Sequence, residues 1–375
     1  MRWLAESSDW PTFIARAAEL AERAGVGLDA DALAGLRRDD PAGVARFEPP
    51  PSAPPTAPEP GWLPMQVVAA EQGLAVDWLH FGDQPLRAPF FEFDVLRSLD
   101  RPFNSLFRFR TPLSTLSEWV GAVPGLQPSG LIFHMSRCGS TLVSQMLAAS
   151  DANVVVSEAK PLDVALQVAA ASPPESGGVN AFADMVAALG QVRHGASGYF
   201  LKLEPWHLLR LSLFLEVFPD VPWLFLYRDP IEVLASLAGE SMSQLAPLGV
   251  LQSALGNVVA AGEPPAAEAR FLGAVCEGAI EALQTRNSRG LAVNYAELPQ
   301  AFETRILPHF AAAYRPDQLD LMRRAQAFDA KAPWQAFRPD GDAKRERAGD
   351  TLIALARTHL SRSYAALEAL NPARA

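Results

Sequence analysis

From residue 128 onward, short apolar runs alternate with segments that have helical spacing. Five of the apolar runs have the length and composition of buried strands: 131–135, 154–156, 199–203, 223–227 and 291–295. Continuous apolar strands that alternate with helices are typical of a parallel sheet covered by helices on both faces. The sequence therefore predicts a three-layer α/β/α domain with a central parallel sheet over residues 128–375.

The chain before residue 128 has a different character. Over residues 1–48, apolar residues recur at helical spacing, which predicts a helical N-terminal extension. Residues 49–64 are predicted to form a linker, because seven prolines occur between positions 49 and 60. Residues 65–127 are rich in aromatic side chains, and we expect a mixed α/β or helical region packed on the core. A helix pair is the simplest form of it.

Composition limits the classes of function. The two cysteines, Cys138 and Cys276, are too few for a disulfide scaffold or a cysteine-based zinc cluster. A net charge of -10 argues against a general nucleic-acid binder. The first residues lack a signal-peptide pattern, and charges and prolines break the most apolar window. We therefore expect a cytoplasmic protein without a membrane partner.

A tight turn, SRCGST at residues 136–141, leads from the first predicted strand into a helix. Unpaired N–H groups and the helix dipole make such a helix start an anion site. Gly139 allows close backbone approach, and Arg137, Ser140 and Thr141 add side-chain donors. The turn lacks the first glycine and the lysine of G-x-x-x-x-G-K-[ST], so we expect a phosphate-like ligand without a bound metal. An ordinary glycine-containing turn is the alternative.

A second basic position follows the fourth predicted strand. Arg228 ends this strand, and Ser236 lies eight residues later on the next predicted helix. The two side chains could together hold a separate phosphate. Alternatively, Arg228 could pair with Asp229 or Glu232 on the surface.

Three segments resemble motifs of the sulfotransferases that depend on 3′-phosphoadenosine-5′-phosphosulfate. SRCGSTL (136–142) resembles their 5′-phosphosulfate loop, FPDVPWLFLYRDPIEVLAS (218–236) their 3′-phosphate motif, and NYAEL (294–298) a later segment. The resemblance implies a P-loop-like fold and this nucleotide as donor. It also implies 3′,5′-bisphosphoadenosine as product, and a small-molecule or peptide acceptor with a hydroxyl or amine.

The resemblance also implies site residues. By position it assigns donor binding to Ser136, Arg137, Cys138, Gly139, Ser140, Thr141, Arg228, Ser236 and Tyr295. Ser136 stands where the family usually has Pro, and Cys138 where it usually has Ser. Cys138 could have a lowered pKa at the helix start, although a small residue tolerated in the turn is the preferred interpretation. A basic segment at 329–347, with Lys331 and Lys344, could close over the 3′-phosphate, or it could be a solvated charged stretch.

Sulfuryl transfer needs a base for the acceptor proton and positive charge near the leaving phosphate. Arg137 suits the second role. Glu158 follows Arg137 at an offset similar to that of the base in protein-tyrosine sulfotransferases, and Glu204 follows Lys202 at the offset where cytosolic sulfotransferases have a histidine. On this resemblance we rank Glu158 first, Glu204 second and His207 third. Both glutamates also follow predicted strands, and ligands bind beyond the carboxyl ends of parallel strands. Each has a structural alternative, such as an ion pair of Glu158 with Lys160, an ion pair of Glu204 with a strand lysine, or helix packing for His207.

The sequence thus predicts a sulfotransferase that acts by in-line displacement with a glutamate base and no metal. One alternative is a P-loop kinase acting on a small molecule, which would need Mg²⁺ and a triphosphate. A second alternative is a non-catalytic nucleotide-binding module. Neither the acceptor nor the oligomeric state follows from the sequence.

Overall fold

The computed structural model describes residues 2–40, 44–52, 59–173, 177–238, 264–286, 288–331, 335 and 341–371. The chain divides into two compact units. The first consists of Met1–Gln127 and Ala159–Gly195, and the second of Pro128–Glu158 and Ala196–Ala375.

The first unit begins with helices α1 (Arg2–Ala5), α2 (Trp10–Ala24) and α3 (Ala30–Asp39). Helix α2 starts where the Asp9 carboxylate accepts the backbone N–H of Thr12, and a left-handed Gly25 ends it. Its apolar face packs into a small cluster with α1 and with Phe103 from a later helix. Helices therefore occupy most of the described residues among the first 48.

A three-stranded antiparallel sheet follows within the described residues of this unit. Its strands are β1 (Trp62–Ala70), β2 (Gly73–His80) and β3 (Phe109–Pro112), and its neighbouring helices are α4 (Phe91–Leu99), α5 (Pro102–Phe107) and α6 (Leu116–Ala122). The described part of this region thus contains both strands and helices. Strand β2 is buried along its last six residues, so it lacks the alternation that reveals a half-exposed strand.

Helices α8 (Lys160–Ala171) and α9 (Gly178–Leu189) also belong to the first unit. Helix α8 packs against β1, and α9 packs against α6 and β1. The sequence pattern placed both helices in the domain of residues 128–375. Strand–helix alternation identifies the elements, but it does not say which sheet a given helix covers.

The described part of the second unit contains a five-stranded parallel sheet with the order β5-β6-β4-β7-β8. Its strands are β4 (Gly130–His134), β5 (Asn153–Ser157), β6 (Gly198–Lys202), β7 (Trp223–Tyr227) and β8 (Gly290–Asn294). Every residue of β4, β5 and β7 is buried, so both faces of the sheet are covered. The predicted α/β fold with a central parallel sheet is confirmed.

Helices surround this sheet. They are α7 (Ser140–Ala148), α10 (Leu211–Val217), α11 (Pro230–Leu237), α12 (Pro264–Gln284), α13 (Leu307–His309), α14 (Pro316–Ala325), α15 (Gly341–Arg347), α16 (Asp350–His359) and α17 (Ser361–Leu370). The sequence also predicts helix over residues 240–288, as a possible cover over the site. Helix α12 occupies the later part of this range, and residues 239–263 lie outside the described residues. No described helix is both long enough and apolar enough to cross a membrane.

Candidate active site

A predicted site residue follows each strand of the parallel sheet, at the same edge. In sheet order these residues are Glu158, Glu204, Ser136, Arg228 and Tyr295. From β4 the chain passes to β5 and β6 on one side of this strand, and then crosses to β7 and β8 on the other side. In open α/β sheets such a switch point forms the crevice that binds ligands. The topology therefore brings together residues that are far apart in sequence.

The turn after β4 is held in an unusual backbone conformation. Ser136 (φ 77°), Arg137 (φ 50°) and Gly139 (φ 85°) all lie in the left-handed region. Each non-glycine residue held there costs about 1–3 kcal/mol, and such strain is concentrated at functional sites. The N–H of Ser136 donates to Nδ1 of buried His134 at 3.0 Å, which anchors the start of the turn. The turn thus leads directly into α7. The first N–H groups of that helix therefore lie at the edge of the sheet where the strands end.

Gly139 is needed where this turn meets the segment after β8. A Cβ at this position would lie 2.8 Å from Cδ2 of Tyr295 and 2.8 Å from Cδ1 of Leu298. The backbone of the turn therefore contacts the NYAEL segment directly. Ser140 and Thr141, the next two residues, form the buried first turn of α7. These residues form a close-fitting cradle at the start of α7.

Cys138 points away from this cradle. Its thiol is fully buried and donates to the carbonyl of Leu226 in β7 at 3.1 Å. Burial raises the pKa of the thiol to about 12. The hypothesis of a reactive Cys138 with a lowered pKa is therefore wrong. Cys138 is instead a small residue that packs beneath the turn.

Arg228 lies against the phosphate loop, which we define as residues 136–141. Its Nη1 donates to the carbonyl of Arg137 at 3.2 Å, and its guanidinium lies 4.0 Å from the ring centroid of Tyr295. It also pairs with Glu232, but the pair is buried and not on the surface. Asp229 instead caps α11, where its carboxylate accepts the N–H groups of the first helical residues. Ser236 is half-buried two turns along the same helix.

Glu158 sits among cationic side chains. It has a left-handed backbone (φ 52°), forms an ion pair with Lys202 of β6, and lies 3.4 Å from Nε2 of His134. Burial raises the pKa of this carboxyl, but Lys202 and His134 outweigh burial and hold it well below its usual range. Its side chain is 19% exposed, at the carboxyl end of β5. Of the structural alternatives, the partner observed is Lys202 and not Lys160.

Glu204 and His207 are less accessible. The N–H of Glu204 donates to Nδ1 of His207 at 3.2 Å, which closes the first turn of the 3₁₀ segment Pro205–Arg210. His207 is completely buried, and its ring lies 4.5 Å from the ring of Trp206. Glu204 is 7% exposed. The geometry gives His207 a packing role and leaves Glu204 at the edge of the crevice.

Two lysines of the basic C-terminal segment belong to the same neighbourhood. Although Lys331 as a residue stays exposed, desolvation of its amine and the positive charges of Arg137 and Lys202 together lower its pKa to about 8. Burial also lowers the pKa of Arg137, which interacts with the charge of Glu158. Lys344 is half-buried on α15, which packs against α11. The segment between Lys331 and α15 lies largely outside the described residues.

Sequence reasoning left Lys202, Glu232 and Arg345 out of the site. The sequence could have indicated Lys202, because it is a lone cation in the strand sequence GYFLK. A lysine is almost never buried without a partner, so its position predicts a nearby anionic group. Glu232 and Arg345 had no such signal, since both occur on helices with several other charges. Among the described residues, no group of three or more His, Cys, Asp or Glu side chains could hold a metal ion.

No protein-family model matches the sequence. No curated protein matches it either. Solved structures that are similar to this chain include the sulfotransferase STF9 from Mycobacterium avium, which is 14% identical with a TM-score of 0.39. The match covers 66% of this chain and 81% of that one.

Two further similar structures are sulfotransferase domains. The domain from the olefin synthase of Synechococcus PCC 7002 is 17% identical with a TM-score of 0.37, over 62% of this chain and 94% of that chain. The domain from the curacin biosynthetic pathway is 14% identical with a TM-score of 0.36, over 65% of this chain and 98% of that chain. All three neighbours are sulfotransferases, and the function proposed below rests on the geometry of the strand ends.

Proposed function

We propose that this protein is a sulfotransferase that moves a sulfuryl group from 3′-phosphoadenosine-5′-phosphosulfate to a hydroxyl or amine. One observation carries the proposal, namely the contact between the two anion-binding motifs. Arg228 donates to the backbone of Arg137, so a cation for a second phosphate stands beside the phosphate loop. A nucleotide with phosphates on both sides of its ribose matches two adjacent basic positions of this kind.

The residues divide between the two ends of the donor. The first N–H groups of α7, with Ser140, Thr141 and Arg137, suit the 5′-phosphosulfate. Arg228 and Ser236 suit the 3′-phosphate. During transfer the acceptor oxygen or nitrogen bonds to sulfur, and the bond from sulfur to the phosphate oxygen breaks. Negative charge grows on that phosphate oxygen, where Arg137 and Lys331 would stabilise it.

Glu158 is the base that this proposal favours for the proton of the acceptor. Glu158 is a partly exposed residue, whereas Glu204 and His207 are buried. Lys202 and His134 hold the pKa of Glu158 well below its usual range, so the carboxylate is ionised at neutral pH; it would take the proton as the bond from the acceptor to sulfur forms and makes that proton acidic. A kinase is the weaker alternative, since the phosphate loop has no lysine after Gly139.

Donor recognition can be tested by titration calorimetry with 3′,5′-bisphosphoadenosine, adenosine 5′-phosphate, and ATP with Mg²⁺. We expect the bisphosphate to bind most tightly, and Arg137→Ala or Arg228→Ala to weaken it about 10- to 100-fold, as for a lost charged hydrogen bond. Arg289→Ala is the matched control, because Arg289 forms an exposed pair with Asp220. Preference for ATP with Mg²⁺ would favour the kinase and contradict the proposal.

The base can be tested by release of 3′,5′-bisphosphoadenosine from the donor with a panel of phenols, alcohols and amines. Glu158→Gln is expected to lower kcat about 10²- to 10⁴-fold and to leave donor affinity within a few fold. Glu204→Gln serves as the comparison and should have the smaller effect. If Glu204→Gln lowers kcat more than Glu158→Gln does, Glu204 is the base. If the protein binds the donor but turns over no acceptor, the non-catalytic module is favoured.

A further inference from the structure

Glu232 bridges two arginines with a single buried carboxylate. Its Oε2 accepts from Nε of Arg228 at 2.6 Å and lies 2.5 Å from Nη2 of the same residue. Its Oε1 contacts Nη1 of Arg345, which comes from α15. Glu232 is 6% exposed, whereas the side chain of Arg345 is 48% exposed. Each carboxylate oxygen thus serves one arginine.

This carboxylate fixes the direction of the Arg228 guanidinium. The Nε edge of Arg228 faces Glu232, its face covers the ring of Tyr295, and its Nη1 donates to the carbonyl of Arg137. A guanidinium is planar, so holding one edge and one face sets where its other N–H groups point. A free arginine side chain loses rotamer freedom when it binds a ligand. Arg228 has already lost that freedom in the folded protein, before any ligand binds.

The same carboxylate also contacts the start of helix α15. A Cβ on Gly341, the first residue of α15, would lie 3.0 Å from Oε2 of Glu232. The helix therefore begins directly against this carboxylate and carries Arg345 and Lys344 next to α11. Glu232 therefore connects Arg228, which follows β7, with the basic helix α15.

We propose that Glu232 is a positioning residue for recognition of the 3′-phosphate, acting on Arg228 directly and on α15 through Arg345. The inference rests on the proposed function, because it assumes that Arg228 binds this phosphate. A purely electrostatic view predicts the opposite sign. A carboxylate beside an anion site repels the anion, so its removal should tighten binding. The sign of the effect therefore separates positioning from simple repulsion.

The experiment compares affinities for 3′,5′-bisphosphoadenosine and adenosine 5′-phosphate, which lacks the 3′-phosphate. Glu232→Gln is expected to weaken the bisphosphate at least 10-fold and to change the monophosphate less than 2-fold. Glu232→Asp should recover part of the loss. Arg345→Met should weaken the bisphosphate by a smaller factor, and it tests the bridge from a partly exposed position where folding is less at risk. The double variant should be no weaker than Glu232→Gln alone.

Two results would overturn the inference. One is unchanged or tighter binding of the bisphosphate by Glu232→Gln, and the other is an equal loss for both nucleotides, which would indicate general damage to the fold. The wild-type protein tests the proposed function separately. If it does not prefer the bisphosphate to the monophosphate, the proposed function fails, and this inference falls with it.

Discussion

At the scale of single residues, the phosphate loop combines strained backbone with tight packing. Ser136 and Arg137 occupy left-handed conformations without being glycine, and Gly139 does so next to Tyr295 and Leu298. The sequence indicated the need for glycine at position 139, because that residue precedes the helix in the motif. It did not indicate the strain at Ser136 and Arg137, which depends on the anchoring hydrogen bond to His134.

Gly139→Ala tests this packing. The added Cβ would lie 2.8 Å from two side-chain carbons, on a backbone with φ 85°. We expect the free energy of unfolding to fall by about 1–3 kcal/mol and the affinity for 3′,5′-bisphosphoadenosine to fall more than 10-fold. Chemical denaturation and calorimetry measure the two effects. Gly349→Ala is the control, since a Cβ at Gly349 meets no atom within 4 Å. Unchanged affinity in Gly139→Ala would argue against a phosphate cradle at this turn.

At the scale of elements, the basic segment after α14 brings a titratable cation to the phosphate loop. The lowered pKa of Lys331, about 8, means that its amine is charged below that pH and neutral above it. Binding of 3′,5′-bisphosphoadenosine should therefore weaken about fivefold between pH 7.5 and 9.5, the equivalent of about 1 kcal/mol. A bound phosphate favours the charged amine, so the midpoint should move upward in the complex.

Two substitutions separate this effect from other titrations. Lys331→Arg keeps its charge over the whole range and should give a flat affinity profile, and Lys331→Met should be flat and weaker at pH 7.5. Phosphate groups finish their second ionisation near pH 6, below the tested range. An identical slope in the wild type and in Lys331→Met would show that Lys331 does not contact the nucleotide.

The sequence predicted some elements far better than others, for physical reasons. The five parallel strands begin and end within about one residue of their predicted limits, because fully buried strands are continuous apolar runs. The antiparallel sheet of the first unit was not foreseen as such, since β2 is also buried along most of its length and mimics a helix segment. Site residues at strand ends followed from topology. The sequence offers Glu232 as a surface partner of Arg228, whereas its burial and its contact with Arg345 depend on helix packing, which the local pattern does not contain.

At the scale of the whole molecule, both cysteines belong to the buried interior of the second unit. Burial raises the pKa of Cys138 to about 12 and also raises that of Cys276. The folded protein should therefore resist alkylation at pH 8, and both thiols should react once the protein is unfolded in guanidinium. Mass spectrometry after a short iodoacetamide pulse counts the modified thiols. Fast labelling of Cys138 in the folded protein would restore the reactive-thiol hypothesis.

The division of the chain was the hardest feature to predict. The proline-rich stretch and the change of pattern at residue 128 indicate two separate boundaries. The structure places Met1–Gln127 in one unit and gives that unit a second piece, Ala159–Gly195. That piece includes α8 and α9, whose apolar faces meet β1 and α6. Choosing between two possible sheets for one amphipathic helix depends on tertiary packing, which the local pattern does not contain.

The most direct measurement is a crystal structure of the protein with 3′,5′-bisphosphoadenosine. The central claim predicts that the 5′-phosphate is bound by the N–H groups at the start of α7, with Arg137 beside it. It also predicts that the 3′-phosphate is bound by Arg228 and Ser236. A nucleotide with its phosphates elsewhere, or with Arg137 and Arg228 turned to different sides of the crevice, would contradict the account.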